Sequence, residues 1–321
     1  MLAFLKLIRV QNLLIIALTQ YLIRWCLIFP ILKAQSSYYE LQLTEWQFFF
    51  LVLSTTMIAA AGYIINDYFD ARIDKINKPE KIVIDKGVKR RVAMGAHMVI
   101  NILAFFIGLG VSYSIGVPKL VFAHFMCISG LWFYSTTFKK QLLIGNIIIA
   151  LFTAMIPFVV VVYELLACYR YYLPIDSSIS FKGIWIYCFG VCVFSFLLSL
   201  VHEFIKDLEN SEGDKELGFS TLPVVFGQRA SKLVISVVLL AIVSFLIYYQ
   251  VTQFFHSDYL TLVYFIVALQ LPILYLLYII LKANTKPLFH KAIKITKGIM
   301  FAAICYLLVF AYIILHFIQM I

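Results

Sequence analysis

Asn66-Asp67-Tyr68-Phe69-Asp70-Ala71-Arg72-Ile73-Asp74 and Asp207-Leu208-Glu209-Asn210-Ser211-Glu212-Gly213-Asp214 are the two stretches on which the reading of this chain turns. Each places an oxygen-bearing side chain at i, i+3 and i+7: Asp67, Asp70 and Asp74 in the first, Asp207, Asn210 and Asp214 in the second. In a helix such positions fall within roughly 60° of one another, on one face. Eleven of the sixteen acidic residues lie between Asp67 and Asp85 or between Glu203 and Glu216. The rest of the chain is dominated by apolar residues. Of 321 residues 63% are hydrophobic and 13% charged, whereas soluble chains carry about 25% charged residues. Carboxylates near a bilayer are costly and mark ion or substrate sites. Two such clusters point to a divided site for a divalent metal and a polyanionic ligand.

Working outward, nine stretches approach the roughly 20 apolar residues that cross a hydrocarbon core as a helix. They run over 11–32, 45–65, 92–114, 117–135, 142–166, 182–205, 231–252, 258–281 and 298–319. The expected fold is therefore all-α: a polytopic membrane helical bundle of about nine transmembrane helices. Residues 1–321 read as one domain, with no Pro/Gly-rich linker and no soluble appendage. Lys6 and Arg9 ahead of the first apolar run imitate a signal peptide, but the run is too long and lacks a small-x-small cleavage site. It is expected to be a retained first span.

The net charge of +10 follows the connectors. With the N-terminus in the cytoplasm and nine alternating spans, 21 of the 26 Lys and Arg residues fall inside, as the positive-inside rule asks. Both acidic segments then face the cytoplasm and the C-terminus faces outward. Without an organelle transit signature, a prokaryotic inner membrane is expected. Basic residues confined to short connectors argue against nucleic-acid binding. The six cysteines include no C-x-x-C pair and the six histidines no H-x-x-x-H pair, so free thiols and no zinc site are expected. Nothing in the chain encodes an oligomeric state.

Magnesium takes oxygen ligands, usually one or two protein carboxylates plus phosphate oxygens of a substrate. A diphosphate held between the two clusters meets that need, with Asp67, Asp70 and Asp74 binding metal from one side and Asp207 and Asp214 from the other. Asp67, Asp70 and Asp207 are the expected catalytic carboxylates. Lys78, Lys81, Lys139 and Lys206 are expected to neutralise the diphosphate, and Asn66 and Asn210 to hydrogen-bond it. Glu203, one turn before Asp207, is expected to ligate metal or position an acceptor. A diphosphate ligand in a membrane protein suggests an isoprenoid, with a polar head and a long apolar tail. Heterolysis of an allylic diphosphate leaves a carbocation, which needs a chamber free of water and aromatic faces such as Tyr63, Tyr68 and Tyr134. The reading from another class is an ion-coupled transporter. Transporters bury their ionisable groups near the midplane between broken helices, and here only Arg24 and Glu164 stand mid-span.

The run from Ala61 through Asn66-Asp67 and Asp70 to Asp74 and Asn77-Lys78-Pro79 resembles the first motif of the UbiA superfamily of intramembrane prenyltransferases. Glu203 through Asp214 to Ser220-Thr221-Leu222-Pro223 and Gly227 is similar to its second motif. Arg9 and Asn12 match its R-x-x-N pattern, and Tyr134-Ser135, Lys139 and Gly145-Asn146 match its fourth-to-fifth span connection. The resemblance implies a polar pocket capped by two acidic loops, Mg²⁺ as cofactor, and a prenyl diphosphate donor. Arg9 and Asn12 would reach the acceptor or the diphosphate. The partner would be a lipid or aromatic acceptor within the bilayer. The pattern is most like a branch whose acceptor is the hydroxyl of a prenylglycerol phosphate, giving an ether lipid; an aromatic acceptor of quinone biosynthesis is the alternative. Two departures stand out. Asn210 replaces a common Asp, and Lys81-Ile82 replaces a common Arg-Pro. The Met-Arg-Thr-x-Arg-Pro run of haem farnesyltransferases is absent.

Overall fold

A computed structural model describes residues 2–71, 73, 74, 82–176, 178–254 and 258–320. Among these the chain is helical, with a single isolated bridge between Ile84 and Val88 and no strand. Ten helices follow in order. They are α1 (Leu2–Leu7), α2 (Val10–Gln35), α3 (Glu45–Asp70), α4 (Arg90–Ser114), α5 (Val121–Thr136), α6 (Ile144–Tyr172), α7 (Lys182–Glu216), α8 (Leu222–Phe254), α9 (Tyr259–Lys282) and α10 (Lys286–Met320). All nine expected spans are present as helices. Eight are long and apolar enough to cross a membrane; α5, at 16 residues, is extended at its start by the 3₁₀ turn Pro118–Leu120.

The helices outrun their apolar cores, which changes the expected position of the acidic segments. They are not loops. Helix α7 runs on to Glu216, so Asp207, Asn210 and Asp214 do share one helical face. Helix α3 carries Asp67 and Asp70 but ends at Asp70; Asp74 lies past that end, so the expected single face breaks after two carboxylates. Polar residues continue a helix beyond the hydrocarbon wherever tertiary packing supports it, and apolarity alone does not register that extension.

Local chemistry accounts for several boundaries. Thr44 and Gln47 form a reciprocal capping box at the start of α3, with bonds of 3.2 and 2.8 Å, satisfying two backbone donors. Arg9 breaks α1 from α2 in a left-handed conformation, φ 52°, uncommon outside glycine. Gly227, at φ 81°, kinks α8 just after its first turn, a conformation that glycine adopts without penalty. Helices α3 and α4 pack antiparallel, tied by Ser54 Oγ to the Ala104 carbonyl at 2.7 Å and His97 Nδ1 to the Ala61 carbonyl at 2.9 Å. All six cysteines are free.

The end of the bundle remote from the acidic segments is held by one buried ion pair. Arg24 and Glu164, 1% and 0% exposed, meet at 3.0 Å. The Glu164 carboxylate also accepts the amides of Gln42 and Leu43, at 2.6 and 3.0 Å. Arg24 further donates to the Leu43 carbonyl and to Glu45 and lies over the Phe48 ring. It sits in a π-helical stretch of α2, Ile23–Ile28. The connector between α2 and α3 is thus stapled to α6. Losing one member of a buried pair costs about 3–5 kcal/mol, while replacing both by apolar groups is often neutral. We expect Arg24→Met or Glu164→Leu alone to lower the thermal unfolding midpoint in detergent sharply, and the double variant to recover most of the loss. A double variant no better than the singles would show that the pair's value lies in its backbone bonds.

Candidate active site

One cavity of about 1530 Å³ joins most of the expected site residues, larger than the roughly 300–1,000 Å³ of ordinary ligand pockets. Its polar end is lined by Arg9, Asn12, Asn66, Asp67, Asp70, Asp74, Lys139, Glu203, Lys206, Asn210 and Asp214. Its remaining walls are largely apolar, contributed by residues such as Ile58, Phe152, Ile156, Leu198, Leu269 and Leu307. It also reaches residues on the outer surface of the bundle, among them Leu5 and Ile15 of α1 and α2 and Phe301 of α10.

Charges at the polar end come in pairs, and each pair joins two elements or two turns. Arg9 Nη2 contacts Asp67 Oδ1 at 2.6 Å, and its guanidinium lies 5.0 Å above the Tyr63 ring. Burial works against that charge, but Asp67 and Tyr63 more than offset it, so the Arg9 pKa lies above its ordinary value. The left-handed turn at Arg9 is what separates its helix from α1. Leu7 beside it is buried with Ile64, Ala71, Ile84 and Ala93, which presses the N-terminal segment onto the end of α3. Asn12 Nδ2 donates to Tyr63 Oη at 3.4 Å. Lys139 pairs with Asp70 and donates to Asn66 Oδ1 at 3.3 Å; Asn66 Nδ2 in turn donates to Asp70 at 2.8 Å. Lys206 and Glu203 pair at 3.1 Å along α7.

The second cluster is anchored by neutral donors. Asp207 accepts from Asn146 Nδ2 at 2.8 Å, and Asp214 from Thr221 Oγ1 at 3.2 Å. Asp207 stands just behind the main wall, lining a small adjoining void with Asn146, Glu203, Lys206, Asn210, Asp214 and Thr221. Asn210 Oδ1 is buried and has no hydrogen-bond partner. Asn146 and Thr221 as carboxylate partners were not assigned from sequence, although both stand in segments that resembled family motifs. Lys78 and Lys81 lie outside the described residues. Of the three tyrosines expected to face a cation, Tyr63 and Tyr134 line the cavity. Tyr68 instead stacks under Arg90, whose guanidinium carbon is 4.5 Å from its ring centre, because it projects from another face of α3.

The oxygen-rich donor set suits a hard cation, and the buried, unpartnered Asn210 oxygen is an acceptor in want of one. Among the described residues no three His, Cys, Asp or Glu side chains converge to hold an ion alone. The arrangement therefore fits Mg²⁺ held by one or two carboxylates with oxygens of a bound diphosphate, rather than an all-protein cage.

Comparison with known proteins gives the family and the fold. The family model described as the UbiA prenyltransferase family matches residues 25–298. A digeranylgeranylglyceryl phosphate synthase of Sulfolobus acidocaldarius is 33% identical over 246 residues, 75% of this chain and 79% of that one. The same fold occurs in a solved structure from work on digeranylgeranylglyceryl phosphate synthase in membranes. It has a TM-score of 0.63 at 22% identity and covers 96% of this chain and 97% of that one. It occurs again in a UbiA homologue from Archaeoglobus fulgidus bound to GPP and Mg²⁺, with a TM-score of 0.56 at 14% identity, over 94% of this chain and 98% of that one. With the match running through both acidic segments and most of the bundle, this integral membrane protein belongs to the UbiA prenyltransferase family.

Proposed function

We propose that the chain transfers a prenyl group from an allylic prenyl diphosphate to the free hydroxyl of a prenylglyceryl phosphate, forming an ether and releasing diphosphate and a proton. The observation that carries this reading is the cavity itself, one space that passes from paired charges to an apolar chamber. Membership of an enzyme family sets the ion-coupled transporter aside. The acceptor follows from the relatives: a digeranylgeranylglyceryl phosphate is completed when a second geranylgeranyl group joins a glyceryl phosphate that already carries one.

The pairing of charges supports the diphosphate assignment. Arg9, Lys139 and Lys206 each hold a carboxylate. Asp67 and Asp70 would hold a metal in place of their cations, and Arg9 and Lys139, so released, would hold phosphate oxygens of the donor. Each group keeps a partner of opposite sign, so no charge is stranded in a poorly solvating site. Asp207 and Asp214 serve from the α7 side, with Asn146 and Thr221 orienting their oxygens and Asn210 offering its own. Asp74 completes the α3 side from beyond the helix end. Mg²⁺ bound there supplies Lewis-acid stabilisation of the charge developing on the leaving diphosphate.

Apolar walls below the carboxylates exclude water from the allylic cation, and the Tyr63 and Tyr134 rings offer it their electron-rich faces. The exposed apolar residues that border the cavity suit substrates that arrive from within the bilayer rather than from water. We place the N-terminus and the carboxylate end in the cytoplasm and the C-terminus outside, in a prokaryotic inner membrane, on the distribution of Lys and Arg.

The test uses purified protein in detergent with Mg²⁺ and labelled geranylgeranyl diphosphate. Geranylgeranylglyceryl phosphate, 4-hydroxybenzoate and a dihydroxynaphthoate are offered separately. Label should move to the glyceryl phosphate, and Asp67→Ala or Asp207→Ala should lower the rate about 100-fold or more without altering the elution profile. Transfer to an aromatic acceptor instead would sink the ether-lipid reading, and near-normal rates in either variant would sink the divided metal site. Lys139→Met should raise the donor KM by about 10- to 100-fold, as expected for one charged hydrogen-bond donor. A donor saturation curve unchanged by that substitution would make Lys139 a purely structural partner of Asp70.

A further inference from the structure

Helix α10 begins twelve residues before its expected span, and that extra length lies along α7. Two contacts fix how the helices align: an ion pair from Lys286 Nζ to Glu212 Oε2 at 2.5 Å, and a hydrogen bond between His290 Nδ1 and Glu209 Oε1 at 2.9 Å. The helices run antiparallel, so seven residues onward along α10 corresponds to seven residues back along α7. This step brings Lys297 to the level of His202, about 10 Å further into the bundle at 1.5 Å per residue. Both line the cavity, and Lys297 is one of several charges near enough to act on His202, after Glu203 and Lys206. The Nδ1 atom of His202 is buried with no hydrogen-bond partner.

His202 leaves α7 on a different face from the donor carboxylates. On α7, Glu203, Asp207, Asn210 and Asp214 share one face, while His202 and Glu209 lie about 100–120° round the helix, with Lys206 between. The chemistry of the proposed reaction calls for two anion sites. The acceptor carries a phosphate monoester that takes no part in the transfer and has no place among the carboxylates. Arg9, Lys139 and Lys206 belong to the donor side through Asp67, Asp70 and Glu203. Depth also agrees. The attacking hydroxyl must meet the carbon just below the diphosphate, and its phosphate follows within a few atoms along the glycerol. His202 lies about 7–8 Å below Asp207 along the helix axis.

Resting on the ether-lipid reading above, we propose that His202 and Lys297 hold the phosphate of the prenylglyceryl acceptor, on a face of α7 separate from the donor diphosphate. Lys297 supplies positive charge, and His202 Nδ1 donates to a phosphate oxygen. The two anions are thus held from different faces of one helix that border the same cavity, with the acceptor hydroxyl between them.

The experiment measures acceptor saturation at fixed, saturating geranylgeranyl diphosphate, using geranylgeranylglyceryl phosphate and the same compound without its phosphate. Wild-type protein should prefer the phosphorylated acceptor in kcat/KM. His202→Leu and Lys297→Met should each raise the KM for it about 10- to 100-fold and shrink the preference by the same factor. Lys297→Arg should retain most of the preference, and the donor KM should hold in all three, showing an intact fold and donor site. Variants that keep the wild-type preference overturn the phosphate site while leaving the reaction in place. Wild-type protein that moves label to neither glycerol compound, yet does so to another acceptor, overturns the ether-lipid reading and this site with it.

Discussion

Taking an ionised side chain out of water costs several kcal/mol unless opposite charge or hydrogen-bond donors replace the lost hydration, and this constraint organises both ends of the bundle. At one end Arg24 and Glu164 are fully buried and satisfy each other and the connector backbone. At the other, Asp67, Asp70 and Glu203 each hold a cation, and Asp207 and Asp214 each accept from a neutral side chain. The same rule yields a rigid staple where the pair is sealed in the core and an exchangeable set where it borders a cavity.

The distinction rests on what surrounds each pair. Around Glu164 stand backbone amides and core residues that leave no room for a competitor. Around Asp67 and Asp70 stands a large cavity, so a ligand carrying both signs can take the place of both partners at once. A metal–diphosphate is such a ligand, and a diphosphate or a metal alone is a poorer one, because either would leave one half of each pair unmatched. Under the proposed function the apolar chamber beneath would favour a diphosphate with a hydrocarbon tail.

Much of this was legible in the chain. Nine apolar runs predicted nine helices, and the spacing of carboxylates located both halves of the mouth. Arg9 and Asn12 were found through their resemblance to a motif, Lys139 also through its charge on the side of the carboxylates, and each lines the same cavity. What was not legible depended on three-dimensional register or on where helices stop. Asp74 looked continuous with Asp67 and Asp70, yet α3 ends at Asp70. Tyr68 looked equivalent to Tyr63, yet points at Arg90. The facing of His202 and Lys297 depends on the alignment of two helices about 95 residues apart in sequence, which no local pattern encodes.

The Arg24–Glu164 pair also bears on how this protein can change over generations. A substitution at either position alone passes through a bundle with a stranded charge buried at one end. The two sites, 140 residues apart, must therefore drift together or after a compensating change in the connector around Gln42 and Leu43. Residues lining the apolar chamber carry no such tie, and one methyl group more or less there is a small step. Descent with altered lipid preference is thereby channelled into the chamber walls, while the remote staple is inherited as a unit.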